Sequence, residues 1–263
     1  MTVTCSLKIE SLETEAFAAI DYRVMAEAFE CQNQIGRLAE EQIYQASLSE
    51  RLLILNLNPS REILVEVSHK NFLKQLFLDL VIDMKAVYEL KVVAKLISAH
   101  EQQMMTYLYL LDLERGKLVN FGASRVESKF INTPVPRETR VNFALRNTHY
   151  HGSQEFMILV LELLRDFGTC LSVSLYHEAI NCLLSSKLTT PKMLPISIND
   201  KWIGNQRFHL AAPDEAYRVT AFNRTVPDYK DQLQNLLRLS PLRSIHWINI
   251  ETQTVTISTI GKS

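Results

Sequence analysis

The chain is poor in the residues that mark specialised protein classes. Seven glycines and eight prolines among 263 residues exclude collagen-like and low-complexity segments. Four cysteines, Cys5, Cys31, Cys170 and Cys182, make no C-x-x-C pair and no zinc-finger spacing. Idle or buried thiols in a reducing compartment are therefore expected. Met1–Glu13 has no basic region followed by an apolar run, so no signal peptide is expected. The most apolar stretch, Phe156–Leu164, is broken by Glu162 and is far shorter than the roughly 20 residues of a membrane span. A soluble, cytoplasmic protein is the expectation. There is also no Lys/Arg cluster, and the net charge is −1.

What is present is an ordinary globular composition, 47% apolar and 22% charged. The length suits two domains better than one, since domains commonly run to roughly 100–200 residues. Charge divides unevenly. Up to Arg125 there are 13 Lys+Arg and 17 Asp+Glu, a net of −4; from Val126 onward there are 15 and 12, a net of +3. An acidic half suits a cation and a basic half suits phosphate, although ordinary surface variation gives the same numbers.

The sequence repeats itself. Gln103–Leu111 followed by Lys117–Phe121 matches Gln232–Leu239 followed by Ser244–Ile250. Gln103 to Gln232 and Asn120 to Asn249 are both offsets of 129 residues. Gly36 and Tyr44 pair with Gly168 and Tyr176 at an offset of 132. A duplication with small insertions explains the common order. In the first copy the periodicity predicts helices over Glu13–Cys31 and Gly36–Leu53, then strands over Glu62–His69, Gln75–Ile82 and Ala86–Val93. A helix over His100–Leu111 and a strand over Lys117–Phe121 follow. The second copy predicts helices over Glu155–Phe167 and Leu171–Lys187, then strands over Leu194–Asn199, Phe208–Ala212 and Ala216–Phe222. A helix over Asp228–Leu239 and a strand over Ser244–Ile250 complete it. The expected division is a domain over 1–125, a linker over 126–153 broken by Pro134, Pro136 and Gly152, and a second domain over 154–263. The expected class is α/β.

Asp79 interrupts an apolar strand, Leu76-Phe-Leu-Asp-Leu-Val-Ile, where carboxylates are rarely buried. The next strand carries Glu89 and Lys91, two residues apart and so on one face. A tight hairpin would bring Asp79 to both. Two carboxylates and an ammonium suit a hard divalent cation such as Mg²⁺, which activates water and clamps a phosphoryl oxygen. The same residues equally describe an edge-strand ion pair. His149-Tyr150-His151 reads as a solvated loop, and Tyr217, Trp202 and Trp247 as core aromatics, although each could stack on bases.

Further residues extend the pattern. Glu41-Gln-Ile-Tyr44 lies on a helix, Asp79 on a strand and Glu89-Leu-Lys91 on the next. His100-Glu-Gln-Gln103 and Tyr107 share a helix, and Leu118-Val-Asn-Phe121 closes the unit. Glu41 to Phe121 resembles the GxxExxY protein family, a branch of the PD-(D/E)XK nuclease superfamily. One departure is Leu38, which stands where that family has glycine; Gly36 matches an earlier glycine of the loop. The resemblance implies two tandem restriction-endonuclease-like domains, each a small mixed sheet flanked by helices. It implies Asp79 and Glu89 as ligands of Mg²⁺ or Mn²⁺, with Glu41 at an outer or second position. Lys91 would act on the water or the transition state. Gln103 and Tyr107, one helical turn apart, would steady the lysine, the metal waters or a phosphate. Tyr44 and Tyr107 also read as core residues, and His100 as a helix-start residue.

The second copy lacks this set. Asp79 falls opposite His209 or Phe208, Glu89 opposite Val219 or Arg218, and Lys91 opposite Ala221 or Thr220. Val173 replaces Glu41, Leu236 replaces Tyr107, and Gln232 remains. The expectation is a one-site metal-dependent nuclease, acting on DNA, with the second half serving architecture or substrate holding in a pseudo-dimer. A non-catalytic scaffold of the same fold is the alternative.

Overall fold

The computed structural model describes residues 1–147, 149–186, 188–223 and 228–262. They form a mixed α/β protein with two six-stranded sheets flanked by helices. Two compact units result. One comprises Thr2–Ser68 and Leu73–Pro136; the other takes in Met1, His69–Phe72 and the chain from Arg137 onward. Among the described residues no helix is long and apolar enough to cross a membrane.

The first unit runs β1 (Thr2–Cys5), α1 (Thr14–Ile35), α2 (Glu41–Ile54), β2 (Pro59–His69), β3 (Phe72–Ile82), β4 (Ala86–Lys91), α3 (Ser98–Leu110), β5 (Arg115–Asn120) and β6 (Glu127–Asn132). Its sheet has the order β1-β2-β3-β4-β5-β6. β3 and β4 are antiparallel, β4 and β5 parallel, β5 and β6 antiparallel. A parallel pair requires a long crossover, and α3 supplies it. Phe17, Val24, Ala28 and Cys31 recur on one face of α1 at helical spacing. With Tyr44, Leu48 and Leu52 of α2 they cover Leu80, Ile82, Tyr88 and Leu90. The other side of the sheet, with Val81, Val87 and Leu118, packs on Met104 and Leu108 of α3. Alternation along the strand therefore puts Glu89 and Lys91 on the same side as Val87.

The second unit runs α4 (Arg137–Val141), β7 (Ala144–Asn147), α5 (Gln154–Phe167), α6 (Val173–Leu184), β8 (Lys192–Ile198), β9 (Lys201–Ala212), β10 (Glu215–Thr220), α7 (Tyr229–Arg238), β11 (Ser244–Ile250) and β12 (Thr254–Gly261). Its sheet has the order β7-β12-β11-β10-β9-β8. β9 and β10 are antiparallel, β10 and β11 parallel, β11 and β12 antiparallel, and α7 makes the crossover. Leu233 and Leu237 of α7 pack on Phe208, Leu210, Ala216 and Ile245. The side-chain oxygens of Ser153 and Ser172 cap α5 and α6, satisfying N–H groups that a helix start leaves unpaired. Strands β2 to β6 with α3 thus have the same order as β8 to β12 with α7, and β3 to β6 the same pairing directions as β9 to β12. The sixth strand differs: β1 pairs antiparallel with β2, whereas β7 pairs parallel with β12.

Several sequence expectations need correction. The stretch expected as a linker, 126–153, is largely structured. It holds β6, paired to β5 from Glu127 to Asn132, together with α4 and β7. β6 escaped notice because an edge strand that is exposed except at Ile131 shows no apolar alternation. The short edge strand β1 was missed for the same reason, and β12 was missed as well. Gly36 does not open α2. Its φ of 84°, costly for any residue with a Cβ, ends α1 at Ile35, so α2 begins at Glu41. The helix expected over Leu171–Lys187 spans Val173–Leu184, and Lys187 lies outside the described residues.

Candidate active site

The β3–β4 pairing sets Leu80 against Tyr88 and Ile82 against Ala86. One further step sets Asp79 against Glu89. Residues directly opposite in an antiparallel pair share a face, so the hairpin brings the two carboxyls together. Lys91, two residues along, joins them. Its Nζ lies 2.7 Å from Glu89 Oε1, 3.8 Å from Asp79 Oδ2 and 3.9 Å from Glu41 Oε2. Glu41 enters from the first turn of α2. Asp79 Oδ2 also accepts the Leu90 main-chain N–H at 2.7 Å. Glu89 is 1% exposed, Lys91 12%, Asp79 13% and Glu41 40%. Exposure to water thus declines from the α2 end inward.

Burial and mutual repulsion shape the charges. Burial first, then the Asp79 charge, pushes the Glu89 carboxyl up to about 8 against the opposing pull of Lys91. Burial likewise raises Asp79 and Glu41 above the usual carboxylate range, with Lys91 partly compensating. For Lys91, burial opposes the charge, but Glu89, Asp79 and Glu41 together outweigh it and hold the ammonium above its ordinary pKa.

Two residues that the sequence did not point to complete the surroundings. Gln45 Nε2 donates to Glu62 Oε1 at 2.8 Å and to the Asp79 carbonyl at 2.5 Å. Glu62 adds repulsion to both Asp79 and Glu41. Its φ of 51° inside β2 departs from strand geometry, which no residue-type signal forecasts. On α3, Gln103 Nε2 donates to the Tyr107 hydroxyl at 3.1 Å. Burial, then the Glu89 charge, raises the Tyr107 phenol well above its usual value, so it stays protonated.

The lysine-bearing strand is tied at its end. Asn120, opposite Lys91 on β5, accepts the Val93 and Gly122 N–H groups, both at 3.0 Å. It donates to the Val93 carbonyl at 2.9 Å and to Glu127 at 3.1 Å. Asn249 does the same in the second unit, accepting the Phe222 N–H at 2.9 Å and donating to its carbonyl at 3.0 Å.

Other expected candidates resolve as structure. Tyr44 is buried, donates to the Gly36 carbonyl at 2.7 Å and stacks on Phe121; Tyr176 donates to the Gly168 carbonyl at 2.6 Å. His100 Nδ1 accepts the Ile97 N–H at 3.2 Å and closes the start of α3. His149 and His151 are exposed, and the Tyr150 hydroxyl donates to the Ser153 carbonyl. Tyr217 is buried and Trp247 half-buried, but Trp202 is 61% exposed, contrary to the expectation of a core residue.

In the second unit the register settles which residues take the matching places. Thr220 faces Asn249 as Lys91 faces Asn120, Arg218 faces Trp247 as Glu89 faces Leu118, and His209 faces Tyr217 as Leu80 faces Tyr88. Phe208, Arg218 and Thr220 therefore stand where the first unit has Asp79, Glu89 and Lys91.

The donor chemistry fits a hard divalent cation. Three carboxylates converge on one lysine, and Glu89 Oε2 is buried without a hydrogen-bond partner. A cation would satisfy that oxygen and offset the burial and repulsion that raise all three acids. Among the described residues no three His, Cys, Asp or Glu side chains are gathered to enclose a metal.

Paired carboxylates and a lysine on adjacent strands of a mixed sheet make up the candidate site. Residues 18–132 match the family model of the PD-(D/E)XK nuclease superfamily, a span that includes Glu41, Asp79, Glu89, Lys91, Gln103 and Tyr107, and nuclease-type function is what that match indicates. No curated protein matches the chain. A solved structure titled "Crystal structure of SSO0001" is 23% identical with a TM-score of 0.26; the alignment covers 43% of this chain and 64% of that one. The chain thus spans less than two thirds of that protein.

Proposed function

We propose that the chain is a Mg²⁺- or Mn²⁺-dependent nuclease that hydrolyses phosphodiester bonds of DNA at one site in the first unit. One observation carries this reading: Asp79, Glu89 and Lys91 converge, and a buried Glu89 oxygen is left without a partner. Asp79 and Glu89 would hold the cation, with Glu41 acting through water or at a second position. The bound cation would supply a lowered water pKa and positive charge for a phosphoryl oxygen. Lys91 holds the attacking water or offsets charge growing on phosphorus. Gln103 fixes the Tyr107 hydroxyl, and the pair orients Lys91 or a substrate phosphate. The four cysteines are free thiols, which fits a reducing cytoplasm.

We further infer that the two units arose by duplication within this branch of nucleases, on the matching strand order, asparagine ties and tyrosine–glycine contacts. The second unit, lacking the acids and the lysine, would serve as a pseudo-domain for architecture or for holding substrate. A non-catalytic binding protein is the second reading, and the 2.7 Å Lys91–Glu89 pair favours it, because the lysine already occupies one carboxylate oxygen. Calorimetry with Mg²⁺ and Mn²⁺ on the wild type and Asp79→Ala, followed by cleavage assays on the same samples, decides between them. Binding and cleavage lost together support the enzyme; no binding by the wild type supports the second reading.

A further inference from the structure

Where the first unit has its acids, the second has an open cavity of about 330 Å³, within the range of small-ligand sites. Its lining includes Arg207, Phe208, His209, Arg218, Tyr229 and Gln232, and no Asp or Glu. Phe208 and Arg218 hold the register positions of Asp79 and Glu89, and Gln232 the helix position of Gln103. The local charge is therefore inverted, from carboxylates to guanidinium groups. Arg218 Nε donates to the Tyr229 hydroxyl at 3.2 Å, which leaves that hydroxyl's own proton to donate. Tyr229 is wedged between Phe222 and Trp247, with ring centroids at 4.9 and 5.1 Å, so the arginine has a fixed anchor. Both arginine charges reach His209: burial first, then Arg218 and Arg207, hold its imidazole below the usual pKa. Arg207 and Arg218 both line the cavity, beside an amide and a phenol that can donate.

We propose that this cavity is a phosphoryl-binding site, with Arg207 and Arg218 as charged donors and Gln232 and Tyr229 as neutral ones. Guanidinium groups match the oxygens of a phosphate in paired, forked hydrogen bonds. The ligand is a phosphodiester of a nucleic-acid backbone or a free phosphate. Only the choice of nucleic acid as the source rests on the nuclease reading.

The test uses the full chain in EDTA, so that no hydrolysis intervenes. Inorganic phosphate is titrated by calorimetry, and a labelled 20-base-pair DNA duplex by anisotropy over a range of salt. The variants are Arg207→Gln, Arg218→Gln, Arg218→Lys and, as a control for lost charge, the exposed Lys8→Gln. Melting curves establish that each is folded. Either Gln variant should weaken both ligands about tenfold and lower the salt slope for the duplex by about one, with Lys8→Gln near wild type. Arg218→Lys should fall between, and phosphate should raise the His209 pKa measured by NMR in the wild type. Weakened phosphate binding with unchanged duplex binding keeps the site and assigns it to a free phosphate ester. Absent phosphate binding, or equal binding by the Gln variants and Lys8→Gln, overturns the proposal. A chain that cleaves nothing with Mg²⁺ refutes the nuclease reading and leaves the phosphate measurement standing.

Discussion

Lys91 reaches back along its own strand to Glu89, 2.7 Å away, while lying 3.8 Å from Asp79 on the neighbouring strand. The lysine is thus the common counterion of a carboxyl pair that repels itself. Lys91→Met should lower the cleavage rate by about 10²- to 10⁴-fold, the usual range for a group acting on proton transfer or developing charge. The variant should remain folded, because Glu89 can take up a proton in place of its lost partner. Single-turnover kinetics together with a melting curve check both parts. An active Lys91→Met would remove the residue from the reaction.

The raised Glu89 carboxyl gives the first unit a characteristic pH response. Its folded pKa, about 8, exceeds the ordinary 4.5, so the native state keeps a proton that the unfolded chain releases. The associated stability is fully present below pH 4.5 and is lost as pH rises through 8. In metal-free protein at pH 8, Glu89→Gln should raise stability by roughly 1–3 kcal/mol while abolishing cleavage. Denaturant melts at pH 5 and pH 8 measure this, and an equal pH dependence in the variant would contradict it.

The second unit should respond with the opposite sign. Burial, helped by the charges of His209 and Arg218, pushes the His177 imidazole down to about 3 from 6.5, and burial also lowers His209 and His246. These rings stay neutral when folded but gain protons when unfolded. Their stability contribution is present above pH 6.5 and is lost as pH falls below it. Hydrogen exchange should find this unit opening more readily at pH 5 than at pH 7. NMR should find no His177 titration between pH 5 and 8.

Asn120 and Asn249 offer a matched pair of substitutions. Each is buried and spans the two polar groups of one residue beyond the strand beside it. Alanine at either position leaves several buried backbone groups unsatisfied and should cost about 2–4 kcal/mol. Only Asn120→Ala should also slow cleavage at a temperature where both variants are folded, because only its strand carries a lysine. Equal activities would mean that the tie does not position Lys91.

The amphipathic elements were legible in the sequence because their apolar spacing reports directly on the core, as with Phe17, Val24, Ala28 and Cys31. Asp79, Glu89 and Lys91 were legible because charged residues in buried strands stand out and a two-residue spacing shares a face. Glu62 and Gln45 were not, since their role depends on a local backbone turn and a cross-element contact that leave no periodic trace. The edge strands β1 and β6 were missed because most of their side chains face water or are only half-buried. The alignment of the second copy stayed one residue uncertain until hydrogen-bond register fixed it through Asn249.

The sixth strand is added to opposite rims, β1 beside β2 and β7 beside β12, so the two sheets end differently. The first unit leaves β6 as a terminal strand, with Glu127 and Lys129 exposed. The second leaves β8, whose Pro195 has no N–H to offer. Charge guards one rim and a missing donor guards the other, both of them devices that deter an incoming strand. Two sheets of matching strand order thereby blunt these rims by unrelated means, and a mutation that exposes one leaves the other protected.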